Sequence, residues 1–201
     1  MKFFKAPTST QSSGNADYEL KNRERLAGLL SLIPSSAAPE GWQQTGFIAV
    51  GGLAEVGFSR NSELLLVVSS SGRGVIDCAT GARIARDDES DGDWYVPETL
   101  QCMGIGPLAD ETVQIAGLHG GGLPIFTRSG ESLTLVSPDW PRSNVIFCPA
   151  HKIPLADGHQ TGCCFVGIGD EIRAFGFSWT GNSFVIATSS DICVFTKNIS
   201  S

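Results

Sequence analysis

The chain has 201 residues, 41% of them hydrophobic, which is enough to bury a substantial core in one domain or in one domain with a small appendage. Its 14 basic and 21 acidic side chains give a formal charge of −7, which argues against a nucleic-acid partner and allows docking to a basic protein. The first residues show no signal-peptide pattern and no apolar run is long enough to span a bilayer, so we expect a cytoplasmic protein with no membrane contact.

The N-terminal part of the sequence predicts a mobile segment and then one helix. Residues 6–16 are small and polar. Apolar residues then recur at helical spacing, with Asp17 as the expected N-cap and Pro34 as the stop. Beyond a linker, short apolar segments alternate with Gly, Asn, Asp and Pro, which predicts strands. The expected divisions are a mobile segment over 1–16, a helix and linker over 17–41, and a β-repeat domain over 42–201.

The predicted strand region contains an internal repeat. Residues 57–71 align without a gap with residues 176–190, and five of the fifteen positions are identical. Each copy predicts a strand, a polar turn and a second strand rich in large apolar residues. A third unit over 111–136 has a similar order of strand, loop, strand, turn and strand. The sequence therefore predicts an all-β, mainly antiparallel fold with one N-terminal helix.

Strand pairs at this spacing, with Asp77, Thr80 and Gly81 before the last strand of the first unit, resemble the blades of β-propeller proteins. The resemblance implies a short or open propeller-like array, since about 150 residues supply only three to four blades. The last repeat ends too early to add a strand beyond 192–196. Because an exposed strand edge invites aggregation, we expect residues 45–50 or the N-terminal helix to cover that edge.

The segment His-Gly-Gly-Gly-Leu-Pro, residues 119–124, matches the oxyanion-hole loop of one group of lipases and esterases. That chemistry also needs a serine in a G-x-S-x-G elbow between a strand and a helix, and the sequence has no such elbow. A hydrolase that uses His119 is therefore the less favoured hypothesis. We interpret the glycines as a permissive loop that links strands or lets a partner approach the backbone.

Acidic side chains are concentrated in residues 87–98, since five of the chain's 21 lie between positions 87 and 93. The spacing of Asp87, Asp91 and Glu98 resembles that of an EF-hand calcium loop, but the preceding segment is a predicted hairpin, not a helix. The alternative is an exposed docking surface of carboxylates with Trp94 as an aromatic anchor, whose charges contribute little to folding. The predicted members of the partner-binding surface are Asp87, Asp88, Glu89, Asp91, Asp93, Trp94, Tyr95 and His119.

The six cysteines are dispersed through apolar segments, so we expect them to be reduced and mostly buried. Four residues of the segment 148–163 nevertheless have a spacing that suits zinc, because thiolates and imidazoles are both good zinc ligands. Buried cysteines at strand ends and histidines in an exposed loop explain the same pattern, and we expect no cofactor. The four candidate zinc ligands are Cys148, His151, His159 and Cys163.

Several segments are similar to a group of small bacterial proteins associated with polymorphic-toxin loci. They are GVIDCATGARIARD, GIGPLADETVQIAGLHGGGLP, VSPDWP and EIRAFGFSWTGNSFVIATSSD, and together they span most of residues 74–191. The resemblance implies an immunity protein that occludes the active site of a cognate toxin domain, for which a basic groove is the natural complement. Because no constellation of residues supports an enzyme, we expect a non-enzymatic binding module. A calcium- or zinc-binding regulatory module is the alternative.

Overall fold

The computed structural model of the protein describes residues 9–88, 92–169 and 171–198. It consists of one N-terminal helix followed by short strands that pair antiparallel, which confirms the predicted fold class. The described elements, in chain order, are α1 Ser9–Ser31, β1 Trp42–Ala49, β2 Leu53–Phe58, β3 Leu64–Ser69, β4 Gly72–Asp77, β5 Ala82–Arg86, β6 Tyr95–Val96, β7 Gln101–Met103, a 3-10 helix Gly106–Leu108, β8 Thr112–Gln114, β9 Ala116–Gly117, β10 Ser132–Val136, β11 Ser143–Cys148, β12 Cys164–Gly169, β13 Ile172–Phe177, β14 Ser183–Thr188 and β15 Asp191–Lys197.

Helix α1 begins at Ser9, so the prediction that it begins at Asp17 is wrong. The sequence carries no proline between position 9 and Pro34, and polar residues upstream of a good N-cap do not by themselves stop a helix. Among the helix side chains that the structure describes, Leu29 near the end is buried in the core, and Ile33 just beyond the helix is buried as well. Within the described residues, no helix is both long enough and apolar enough to cross a membrane.

The strands form four separate sheets, each built mainly from strands that are consecutive in the chain. Sheet 1 has the order β5-β4-β3-β2-β9, and sheet 2 has the order β6-β7-β8. Sheet 3 has the order β10-β11-β12, and sheet 4 has the order β1-β15-β14-β13. Each order is linear, so none of these described sheets closes into a barrel.

The turn between β4 and β5 has the geometry that the sequence predicts. The Thr80 hydroxyl donates to the Asp77 carboxylate at 2.9 Å, and the Gly81 N–H donates to the Asp77 carbonyl oxygen at 2.8 Å. Gly81 has a φ of 71°, which an L residue rarely adopts. It also lies against the backbone of Thr45 in β1, so this turn of sheet 1 is packed on sheet 4.

The two copies of the sequence repeat form equivalent hairpins, β2–β3 in sheet 1 and β13–β14 in sheet 4. Both hairpins have a register shift near the start of the first strand, between Leu53 and Glu55 and between Ile172 and Ala174. The two copies therefore share this register shift in the backbone as well as their side-chain pattern.

The glycine that opens each repeat allows a neighbouring segment to approach the strand. A Cβ at Gly57 would overlap the carbonyl oxygen of Gln114, and a Cβ at Gly176 would overlap the Leu123 side chain. Leu123, from the predicted permissive loop, is buried in the core between the hairpins. The repeated glycine is therefore a packing requirement in both copies.

Buried side chains join the sheets face to face, and burying each large apolar side chain stabilises the fold by about 1.5–3 kcal/mol. Sheet 1 packs on both sheet 2 and sheet 4, while sheet 4 also packs on sheet 3. The main contributors are Val56, Phe58 and Val185 between sheets 1 and 4, Phe147, Phe177 and Phe184 between sheets 3 and 4, and Leu66, Val75 and Val113 between sheets 1 and 2.

Strand β1 covers the edge of the last strand, as predicted. It pairs antiparallel with β15 from Trp42, opposite Lys197, to Ala49, opposite Asp191. The predicted segment 45–50 lies largely within this strand. The pairing supplies the fourth strand of sheet 4 and ties the beginning of the β domain to its end.

The six cysteines are unpaired thiols, and five of them are buried, while Cys193 is half-buried. Burial raises the pKa of the Cys102, Cys164 and Cys193 thiols to about 11, and it also raises the pKa of Cys78 and Cys148. Because the thiolate is the reactive form, protonated and covered thiols react slowly.

We expect thiol titration of the native protein at neutral pH to be slow, with Cys193 the first thiol to react because it is the one that is not fully buried. Titration after unfolding should count six thiols. Rapid reaction of several thiols in the native protein, or a count of four after unfolding without reductant, would contradict burial or reveal a disulfide.

Replacing Gly57 or Gly176 with Ala should lower the free energy of unfolding by about 1–3 kcal/mol, since the added methyl group meets a neighbouring segment in both cases. Gly122→Ala is the matched control, because a Cβ there meets no atom within 4 Å. Chemical denaturation of the three variants measures the difference. Equal stability of Gly57→Ala and Gly122→Ala would show that the repeat glycine is not constrained by packing.

Candidate functional site

Glu55 is a charged residue in the centre of the core, with 0% of its surface exposed. It lies on β2, just after the register shift with β3, between apolar neighbours. Its Oε1 atom accepts the backbone N–H of His119 at 2.9 Å and lies 2.8 Å from Nδ1 of the same residue. The Tyr95 hydroxyl donates to the same oxygen at 3.4 Å. A buried carboxylate requires such donors, so Glu55 fixes where both residues lie.

The loop that carries His119 is pinned to β2. Gly117 and Gly120 exchange backbone hydrogen bonds, and the Leu118 N–H donates to the Ala54 carbonyl oxygen at 2.9 Å. Gly120 and Gly121 both have positive φ, which explains the run of glycines. The loop therefore serves as a tight turn that presents His119 beside Glu55, which places its glycines in a structural role.

Tyr95 connects this loop to the acidic segment. Its hydroxyl lies 2.6 Å from His119 Nδ1, and the two rings meet edge to face at 5.9 Å between centroids. Burial raises the pKa of Tyr95 to about 12, and the negative charge of Glu55 adds to the effect. The phenol therefore remains protonated at neutral pH and available as a donor. Two segments that the sequence predicted as separate members of one surface, at Tyr95 and at His119, are in direct contact.

The Glu55–His119 pair orients the imidazole. A proton on Nδ1 satisfies the Glu55 oxygen, which leaves Nε2 as the free ring nitrogen, and 47% of the His119 side chain is exposed. Such a nitrogen accepts a hydrogen bond when the ring is neutral and donates one when it is protonated. Among the described residues, no serine is hydrogen-bonded to His119.

A cleft of about 370 Å³ opens in front of His119, where sheets 1, 2 and 4 meet. Its walls combine apolar and aromatic surface with a few polar groups, which is the composition of typical small-ligand sites. The residues used below are Ser70, Trp94, Tyr95, His119, Arg173 and Ser189.

Asp87 is part of the folded framework, so the prediction that it is a dispensable surface charge is wrong. Its carboxylate accepts from Nε and from the backbone N–H of Arg73, each at 3.0 Å, and Arg73 is only 8% exposed. The Arg73 guanidinium also stacks 4.3 Å from the Trp94 ring and donates to the Met103 carbonyl oxygen at 2.9 Å. Asp87 therefore neutralises a buried cation that supports sheet 2.

Trp94 is 8% exposed and packs in the core between sheets 1 and 2, so it cannot be the exposed aromatic anchor that the sequence predicted. The buried Arg73 guanidinium stacks on the Trp94 ring and holds it in this position in the core. Tyr95 is half-buried and presents its ring to the cleft.

Other acidic residues of the segment do face solvent. Asp93 and Glu98 are exposed, and so is Asp88, which pairs with Arg86 at 2.7 Å. Glu89 and Asp91 lie outside the described residues, so two of the positions that an EF-hand loop would use are not described.

The four candidate zinc ligands are not assembled around one point. Cys148 and Cys163 are buried with Ile33 in an apolar cluster, while His151 is exposed. His159 Nδ1 instead accepts the Ile153 N–H at 3.3 Å. Across 9–88, 92–169 and 171–198, no group of three or more His, Cys, Asp and Glu side chains is placed to hold a metal ion.

Comparison with known families and curated proteins adds no assignment to this geometry. No protein-family model matches the chain, and no curated protein matches it significantly. The contacts and charges of the site therefore carry its interpretation. The sequence analysis did not predict Glu55, Arg73 or Arg173, and the one signal for Glu55 was a single carboxylate within the apolar strand LAEVGF.

Asp87→Asn should lower the free energy of unfolding by about 1–3 kcal/mol, because it leaves the charge of buried Arg73 without its counter-ion. Asp88→Asn is the matched control and should change stability by less than about 1 kcal/mol, since its pair with Arg86 is exposed. Denaturant unfolding near neutral pH compares the two. Equal stabilities would show that the Arg73–Asp87 pair does not support the fold.

Proposed function

We propose that the protein is a non-enzymatic binding module that neutralises a cognate bacterial toxin domain by covering its active site. The proposal is supported by the resemblance of residues 74–191 to small proteins of polymorphic-toxin loci. The structural observation behind it is the 2.6 Å contact between the Tyr95 hydroxyl and His119 Nδ1. That contact makes one surface from the acidic segment and the Gly-rich loop.

The surface that we assign to the partner, called here the acidic face, mixes negative and apolar side chains. It comprises Asp88, Asp93, Val96, Glu98 and Leu118, all of which are exposed. Apolar contact surrounded by charged groups is the usual composition of a protein interface. A toxin that acts on a polyanion carries a basic groove, and carboxylates bind such a groove as phosphates do.

The framework behind the acidic face is held by buried polar contacts. Arg73 links Asp87 to the Trp94 ring, and Glu55 links Tyr95 to His119. A surface that is ordered before binding loses less conformational entropy when the partner docks. Preorganisation of this kind favours the tight association that neutralisation requires.

The double variant Asp88→Asn/Asp93→Asn tests the acidic face without touching the buried ion pair of Asp87. We expect it to slow association with the cognate toxin domain by about threefold to tenfold at low ionic strength and to flatten the salt dependence of the rate, because exposed charges act mainly through steering. The measurement is the association rate with the purified cognate toxin domain at several salt concentrations.

The double variant Asp139→Asn/Asp157→Asn is the charge-matched control, since both residues are exposed and lie outside the acidic face. It should retain most of the wild-type association rate. If both double variants slow association equally, the effect comes from net charge alone, and the assignment of the acidic face is overturned. Absence of any complex with the toxin domain, together with no protection of cells that express it, would overturn the function itself.

A further inference from the structure

We propose that the cleft in front of His119 binds a small molecule that carries a carboxylate or phosphate group on an apolar body. The cleft has a volume of about 370 Å³, within the range of small-ligand sites. The observations behind the proposal are the charge of its wall, its unpartnered donors, the orientation of His119 and its apolar lining.

The wall of the cleft is rich in hydrogen-bond donors and poor in negative charge. Arg173, on β13, and His119, in the loop after β9, both line the cleft, and Ser70 and Ser189 add hydroxyl groups to its lining. None of the described residues that line the cleft is a carboxylate, although the chain has a net charge of −7. The wall therefore suits a ligand that is rich in acceptors.

Two donors of the cleft residues lack an acceptor. Trp94 Nε1 and Arg173 Nε are buried, and neither has a hydrogen-bond partner among the described residues. A buried donor without an acceptor costs free energy, and each such group in a folded protein calls for an explanation. A ligand oxygen that reaches either atom after a small side-chain shift relieves this cost.

The ion pair of Arg173 with Glu171 is also weak. Its Nη2 atom lies 3.1 Å from Glu171, whose side chain is 62% exposed. Exposed ion pairs contribute little because water screens them. An oxyanion within the cleft is less screened, so it competes well with Glu171 for the guanidinium.

The orientation of the His119 ring leaves one of its nitrogens available to bind the anion. Glu55 and Tyr95 both engage Nδ1, so Nε2 is the nitrogen left to meet a ligand. When the ring is protonated, the buried carboxylate of Glu55 compensates its charge, and Nε2–H donates to the oxyanion. Leu53, Val68 and Leu118 also line the cleft and offer apolar contact to the body of the ligand.

A second cavity, of about 180 Å³, is lined by Arg73, Arg83 and Arg86. It is the weaker candidate for an anion, because Asp87 already neutralises Arg73 and Asp88 already pairs with Arg86. The cleft at His119 instead contains Arg173, whose ion pair with Glu171 is exposed to solvent, and two donors that lack acceptors among the described residues.

The test is titration of the full chain with benzoate, phenyl phosphate and the neutral isostere benzamide, followed by calorimetry and by Trp fluorescence. We expect saturable binding of at least one anion and at least about tenfold weaker binding of benzamide, because hydrogen bonds to charged groups are the stronger ones. Stronger binding of benzoate or of phenyl phosphate identifies which oxyanion the cleft prefers.

Arg173→Met should weaken binding of the preferred anion by about tenfold or more, whereas Arg128→Met, at an exposed position outside the cleft, should leave it unchanged. Thermal unfolding checks that the Arg173 variant is folded, and if it is not, the comparison of benzoate with benzamide on the wild-type chain still decides. Benzamide binding as tightly as both anions, or equal anion binding by the two variants, overturns the proposal. Asp88→Asn/Asp93→Asn should bind the anion normally, which separates this site from the acidic face.

Discussion

The fold depends on the packing of two equivalent hairpins, β2–β3 and β13–β14, against a shared core. Phe58 and Val185 both belong to that core, and Gly57 and Gly176 leave room for the segments that pack on the two hairpins. Sheet 2 is then supported on sheet 1, and sheet 3 on sheet 4. The pairing of β1 with β15 completes sheet 4, so the two ends of the β domain hold each other in place.

The same packing creates the candidate site. Glu55 lies on β2 within the shared core, where water cannot solvate its carboxylate. One of its oxygens, Oε1, accepts from two segments elsewhere in the chain, His119 of the loop 117–122 and Tyr95 of the acidic segment, while Oε2 has no hydrogen-bond partner among the described residues. A buried polar group that recruits partners in this way fixes their positions more firmly than apolar packing alone, since each hydrogen bond has a required direction. The acidic face and the cleft both follow from this one requirement.

Buried charge also separates residues that look alike in sequence. Asp87 and Asp88 are neighbours in an acidic run, but Asp87 neutralises buried Arg73 while Asp88 faces solvent. Arg73 also determines the position of Trp94, since stacking on the guanidinium places the ring in the core instead of on the surface. The sequence shows that this run is acidic. The position of the basic partner, buried Arg73 or exposed Arg86, decides which aspartate supports the fold.

The sequence by itself determined the features that depend on local periodicity: the strands, the repeated hairpins, the turn at Gly81 and the burial of the cysteines. It also indicated that residues 45–50 or the N-terminal helix must cover the edge of the last strand, because an unpaired edge is unfavourable wherever it occurs, and the structure shows that β1 does so. Only the tertiary structure decided the site. Glu55 lies 64 residues from His119 and 40 from Tyr95 in the chain, and no local pattern links them. Their meeting follows from the need of a buried carboxylate for donors, which exists only once the core has formed around it.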